Sequence, residues 1–290
     1  MSLFDLDLAA IVGAYRTCEF ATLAKDGTPV TWPAAAWLRP DGTLTLTTSL
    51  GFPQKALNIR RDSRVALLFS DPTGSGLDAP EQVVVQGTAS CPDEIVTSPG
   101  DLADYWATLF ERQPSSRAYL NPLMRPVVDW YFMRLVITVA PHHVRTRPQP
   151  APGTIQASGV LGSALLRGFP SAVLGGRAGD GAPVLLRVRP VAVANGYRLD
   201  LPEDVKVSPG PASLLVHRHN EKLANLRFAL VRGELSEDMT LAPSVVVDPA
   251  SSAFRTLKRT RRSAKDYLRS RDLARPGIDW AGFAAIAKSV

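Results

Sequence analysis

Short segments with strand-like patterning, several of them closed by an Asp-Gly or Asn-Gly pair, recur along this chain and commit much of it to antiparallel β-structure. Thr43-Leu-Thr-Leu-Thr-Thr48 shows the pattern most plainly, with the period of two expected of a half-buried strand. Asp26-Gly27 and Asp41-Gly42 are hairpin turns, because a tight turn needs positive φ and glycine supplies it. Strands are predicted at 20–23, 29–38, 43–48, 65–69, 82–87 and 135–139. A short amphipathic helix over 3–16 carries Leu3, Phe4, Leu8, Ile11, Val12 and Tyr15 as its apolar residues, and a second helix runs from Gln54 to Arg61. Two further helical stretches lie near 101–112 and 122–134. Many short strands with closely spaced turns point to a barrel.

The same sequence of signals returns in the second half. Asp180-Gly181-Ala182-Pro183-Val184 echoes Asp26-Gly27-Thr28-Pro29-Val30, and Val231-Arg232-Gly233-Glu234 echoes Val85-Gln86-Gly87-Thr88. From Asp26 to Asp41 is fifteen residues, and from Asp180 to Asn195, the start of an Asn-Gly turn, is also fifteen. An internal duplication accounts for these matches together, set against chance similarity between hairpins. The proline-rich stretch 146–154 reads as a linker, which divides the chain into units over 1–147 and 155–290. The fold expected is α+β, mainly β, as two barrel units with peripheral helices.

Composition narrows the class. The 290 residues are 45% hydrophobic and 21% charged, as in an ordinary globular protein. No run of eighteen apolar residues suggests a membrane-spanning helix, and Met1 to Arg16 lacks the basic head of a signal peptide. With only Cys18 and Cys91, a disulfide scaffold is excluded and a cytoplasmic location is the expectation. The net charge of +6 is local: residues 251–290 hold ten Lys or Arg and three Asp, a sum of +7, which leaves −1 for the rest. A nucleic-acid reading would rest on that segment alone, and no interleaved aromatic platform supports it.

Cys18 to Ser90 resembles the split β-barrel of the pyridoxamine-phosphate-oxidase-like, flavin and deazaflavin oxidoreductase superfamily. The residues that carry the resemblance are FATLAKDGTPVTWPAAAWLRPDGTLTLTTS, then KALNIRRDSRVALLF, then QVVVQG. Members hold FMN, the deazaflavin coenzyme or, in some branches, haem, at the junction of two barrels. The resemblance implies an oxidoreductase passing a hydride to or from a small organic substrate, with FMN slightly favoured over deazaflavin. A non-catalytic protein that stores or senses such a cofactor is the alternative.

The implied cofactor residues are Trp32, Ala35, Thr48, Ser49, Gln54, Lys55 and Gln82. Thr48 and Ser49 end a strand and offer hydroxyls, or simply close that strand. Lys55 falls in the first helical turn, where an ammonium and free backbone N–H groups converge on a phosphate, or it is a solvated helix residue. Gln54 stands where the oxidases carry a second basic residue. Gln82 matches the family glutamine that contacts the flavin, or caps a sheet edge. Backbone groups between Trp32 and Trp37 match the strand along the ring edge, which explains Ala34, Ala35 and Ala36. Trp32 and Trp37 also replace the oxidase's basic strand residues, so oxidation of pyridoxamine phosphate itself is not expected. The sequence names no catalytic residue.

The second half departs from this pattern. Its equivalent helix is placed at Ser208–Leu214, where no lysine matches Lys55 and Lys206 lies only nearby. One working site and one lost site, formed in an internal pseudo-dimer, follow; homodimers also occur in the superfamily. No metal is expected: His142 and His143 are adjacent, and His217 and His219 would not share a face of the helix anticipated there. Arg255, Lys258, Arg259, Arg261, Arg262, Lys265, Arg269 and Arg271 read as a solvated helix, or as a grip on an acidic deazaflavin tail.

Overall fold

The computed structural model describes residues 3–78, 80–151, 153–224, 226–248 and 253–290, without the side chains of 253 and 254, and its strands form two seven-stranded antiparallel sheets. The first sheet comprises β1 (Cys18–Leu23), β2 (Pro29–Ala34), β3 (Ala36–Leu38), β4 (Leu44–Ser49), β5 (Arg64–Phe69), β6 (Gln82–Ser90) and β7 (Arg134–Arg147), in the order β2-β1-β5-β6-β7-β4-β3. The second comprises β8 (Ala172–Arg177), β9 (Pro183–Val188), β10 (Val191–Val193), β11 (Gly196–Arg198), β12 (Ser208–Arg218), β13 (Arg227–Leu235) and β14 (Thr240–Val247). Its order is β10-β11-β14-β13-β12-β8-β9. Read from β9, this is the first order strand for strand. The architecture is two split-barrel units, mainly β, with peripheral helices.

The echoing segments occupy equivalent places. Gly87 and Gly233 both sit at register shifts in the pairing with the last strand of their sheet. A Cβ would meet the Ala140 carbonyl oxygen at 2.5 Å at the first position and the Ala242 oxygen at 2.0 Å at the second. Only glycine lets the two backbones approach so closely.

Alternation gives each sheet two faces with different partners. Inward residues such as Phe20, Leu44, Leu46, Leu67, Val85, Leu135 and Ile137 fill the first barrel. The opposite face of β1, β5 and β6, with Ala21, Ala66, Leu68 and Val84, packs on Val173, Leu185, Leu215 and Leu230 of the second sheet. The units therefore meet sheet to sheet through small and branched side chains.

Several sequence expectations change. The strand expected over 29–38 breaks at Ala35, and its halves, β2 and β3, lie at opposite ends of the sheet order. The stretch 122–134 gives only a short helix, Arg125–Val128, and a 3₁₀ turn before β7 begins at Arg134. β7 extends through His142, His143 and the start of the expected linker. Ser208–Leu214, expected as a helix, lies in β12, as does His217. Pro209 and Pro211 are tolerated there because pairing with β8 is interrupted between Ser208 and Ser213. The second unit thus has no helix between β11 and β12.

The C-terminal helices, assigned with the second unit by chain position, pack on the first. Ala264, Tyr267 and Leu268 of the helix Ala253–Arg269 join the first barrel's core. Phe283 and Ala287 of the helix Trp280–Ser289 join Trp106, Phe110 and Phe132. Arg255, Lys258, Arg259, Arg261, Arg262, Lys265 and Arg269 stay exposed and Arg271 is half-buried, so the charges leave one face of the long helix free for packing. No helix among the described residues is long and apolar enough to cross a membrane.

Candidate functional site

The end of β4 and the helix Gln54–Arg61 place a cation beside an aromatic ring. Thr48 donates its hydroxyl to the Phe52 carbonyl at 2.6 Å, which closes the turn between strand and helix. The helix then starts at Pro53 without a side-chain cap, so its first N–H groups keep their capacity for an anion. Lys55, in the first turn and half-buried, holds its Nζ 5.2 Å from the centre of the Trp32 ring. It has no hydrogen bond or ion pair among the described residues.

A second cation lies within electrostatic reach. Arg134 begins β7 opposite Ser49 on β4 and is buried. Its guanidinium stacks on Tyr131, 4.2 Å from the ring centre, and on Trp106 at 4.8 Å. Aromatic faces offset part of its desolvation but accept no hydrogen bonds along the N–H directions. Its Nε and Nη2 are buried without a partner among the described residues. Burial, with the Arg134 charge adding to it, pushes the Lys55 ammonium from 10.5 down to about 8. The half-buried ammonium and the buried guanidinium repel each other, and neither has an ion pair among the described residues.

The neighbouring groups suit a phosphate ester. The Ser49 hydroxyl makes no hydrogen bond among the described residues. Tyr105 shares a hydrogen bond with Thr47 at 3.1 Å, and burial raises its phenol pKa, so it stays a neutral donor. Burial likewise pushes the Cys18 thiol well up, which keeps it protonated beside Lys55.

The other sequence candidates scatter. Gln54 is exposed, donates to Asn58 at 2.8 Å, and lines a groove of about 630 Å³ with Ala24, Lys25, Asp26, Val30 and Arg232. That groove runs between the units and has the size of ordinary small-molecule sites, about 300–1,000 Å³. Ala35, at the corner between β2 and β3, lines a narrow crevice with Trp37, Tyr105 and Leu223. Gln82 opens on a different cleft, with Arg147 and Arg187, where its amide donates to the Pro148 carbonyl at 2.7 Å and its Oε1 is buried without a partner.

Sequence reasoning missed Arg134 and Tyr105. An arginine heading the apolar run Leu135–Val139 was a usable signal, since a charge at the start of a buried strand calls for a partner. A second polar centre at the junction of the sheets was also missed. Glu19, fully buried on β1, accepts from Ser70 at 2.9 Å and Arg187 at 2.8 Å, and lies 2.7 Å from His217 Nε2. Against the upward push of burial, Arg187, His217 and Ser70 hold its carboxyl below the ordinary range. The isolated glutamate in the apolar strand Cys18–Leu23 was its sequence signal.

No family model and no curated protein matches the chain. Several solved structures match about half of it. A conserved hypothetical protein of Mycobacterium tuberculosis is 26% identical over 55% of this chain and 94% of its own, with a TM-score of 0.36. An F420 reductase is 25% identical over 47% of this chain and 94% of its own, with a TM-score of 0.33. The heme storage protein of Vibrio cholerae is 14% identical over 50% and 95%, with a TM-score of 0.34.

Proposed function

We propose that the first unit binds a phosphate-bearing flavin or deazaflavin and that the chain is an oxidoreductase acting on a small organic molecule. The uncompensated pair of Lys55 and Arg134 carries this reading. A cofactor phosphate supplies the charge and acceptors that the pair lacks, with the start of the helix Gln54–Arg61 and the Ser49 hydroxyl as further donors. Trp32 gives an apolar wall beside the ammonium. When bound, the cofactor supplies hydride transfer, and the protein's part is binding and orientation.

The first unit is the working copy and the second barrel, β8 to β14, the lost one. The second unit lacks the helix that carries Lys55, and Lys206 sits in the loop before β12. FMN is the first candidate and the deazaflavin coenzyme the second. Haem is placed third.

The test is to incubate the purified chain with FMN, the deazaflavin coenzyme and haem separately and remove free ligand. One retained flavin or deazaflavin per chain, reducible by a nicotinamide or an organic donor, supports the proposal. Retention without reduction reassigns the chain as a binding protein. Two flavins per chain would refute the loss of the second site, and retention of haem alone would refute the cofactor class.

A further inference from the structure

The sheet junction holds a second group of residues with unused capacity, separate from the Lys55 site. His217 is on β12, His219 follows that strand by one residue, and Asp71 follows β5 by two. On an extended chain, residues two apart share a face, so the two imidazoles stack with ring centres 6.2 Å apart. One ligand atom from each of the three residues lies within 4.8 Å of the other two. His219 Nε2 is 3.5 Å and His217 Nδ1 is 3.8 Å from the same oxygen, Asp71 Oδ2.

Each residue is held by its other polar atom. His217 Nε2 faces the Glu19 carboxylate at 2.7 Å and donates to it, which makes Nδ1 the ring nitrogen turned toward Asp71. That Nδ1 is buried without a hydrogen-bond partner among the described residues, on a side chain only 1% exposed. His219 Nδ1 donates to the Asn220 carbonyl at 2.9 Å, which leaves Nε2 with its lone pair, now facing the Thr17 hydroxyl at 3.1 Å. Asp71 Oδ1 accepts from the Thr73 N–H at 3.0 Å, which leaves Oδ2 for the histidines. A carboxylate or carbonyl behind each ligating imidazole is the outer arrangement that metal sites use. Glu19 and Asp71 supply two carboxylates beside the imidazoles, and Arg187 is paired with Glu19.

We propose that Asp71, His217 and His219 bind one divalent transition-metal ion of the zinc class. Two imidazoles and one carboxylate are a borderline donor set that suits zinc or its first-row neighbours better than calcium or magnesium. Three protein ligands leave a position for water or a small anion. Asp71 and His217 also line a cleft of about 440 Å³ with Arg187, Arg189 and Arg218, through which either could arrive. Because Asp71 comes from the first unit and both histidines from the second, the ion ties the units together.

The test uses the full-length chain, stripped with a chelator and titrated with Co²⁺ and then Zn²⁺. The expected result is one Co²⁺ per chain, with visible ligand-field absorption that Zn²⁺ removes, and a melting temperature raised by Zn²⁺. Asp71→Asn, which keeps the Thr73 bond, and His219→Gln each abolish the absorption and the thermal shift while the variants stay folded by circular dichroism. Glu19→Gln leaves all three ligands in place and weakens Co²⁺ binding by roughly 10–100-fold. If the wild-type chain takes up no Co²⁺, the cluster is a hydrogen-bond network and the proposal fails. It fails also if uptake survives in the Asp71 and His219 variants or is lost instead in His142→Gln/His143→Gln.

Discussion

Lys55→Met separates binding from stability. In the ligand-free protein the ammonium is held at about 8, against 10.5 for a free lysine, by burial and the Arg134 charge. That difference corresponds to roughly 3 kcal/mol against the charged form. The unfolded chain keeps its proton to higher pH than the folded one, so stability rises as pH climbs from about 8 to 10.5, and the full cost applies below 8. Methionine keeps the stem and its contact with Trp32 but removes the charge. Urea unfolding at pH 7 is therefore expected to show the variant more stable than wild type, by up to about 3 kcal/mol, with the gap closing toward pH 10.5. The same group ties binding to protons. A bound phosphate restores the lysine's charge, so calorimetry in buffers of different ionisation enthalpy should record uptake of up to about half a proton per FMN at pH 8, where the phosphate is already a dianion. A destabilised Lys55→Met protein, or wild-type binding without proton uptake at pH 8, would refute the reasoning.

The packing sets four further outcomes. Glu19→Ala leaves the buried Arg187 and His217 without their anion and should cost about 3–5 kcal/mol in urea unfolding. Because the Glu19 carboxyl is held below its ordinary range, its contribution is present above that range and lost as pH falls through the folded value, a slope that Glu19→Gln should lack. Gly233→Ala drives a methyl against the Ala242 carbonyl and should cost roughly 1–3 kcal/mol, read as a lower melting temperature. Phe283→Ala empties a fully buried place 4.7 Å from Trp106 and should cost about 3–5 kcal/mol, with tryptophan fluorescence reporting the change.

Local chemistry made the hairpins legible. Asp26-Gly27 and Asp180-Gly181 fix tight turns by themselves, and the strands beside them pair with their sequence neighbours, β1 with β2 and β8 with β9. Lys55 was legible because its place in the first helical turn depends only on the preceding strand and turn. Arg134 was not, because its meaning depends on Trp106 and Tyr131 brought to it by tertiary packing. The histidine pair was misread for a related reason. Pro209, Gly210 and Pro211 gave no local strand signal, and β12 owes its conformation to pairing with β13 along its length. The third member, Asp71, lies in a loop whose turn residues gave no hint of the histidines across the sheet junction. The C-terminal helices were misplaced because chain order does not reveal that Ala264, Tyr267 and Phe283 complete the first unit's apolar surface.

The most direct measurement of the central claim is a crystal structure of the full chain soaked with FMN. The expected result is one FMN per chain with phosphate oxygens about 2.7–3.2 Å from Lys55 Nζ and the Arg134 guanidinium. A phosphate bound elsewhere, with Lys55 and Arg134 still unpaired, would contradict it.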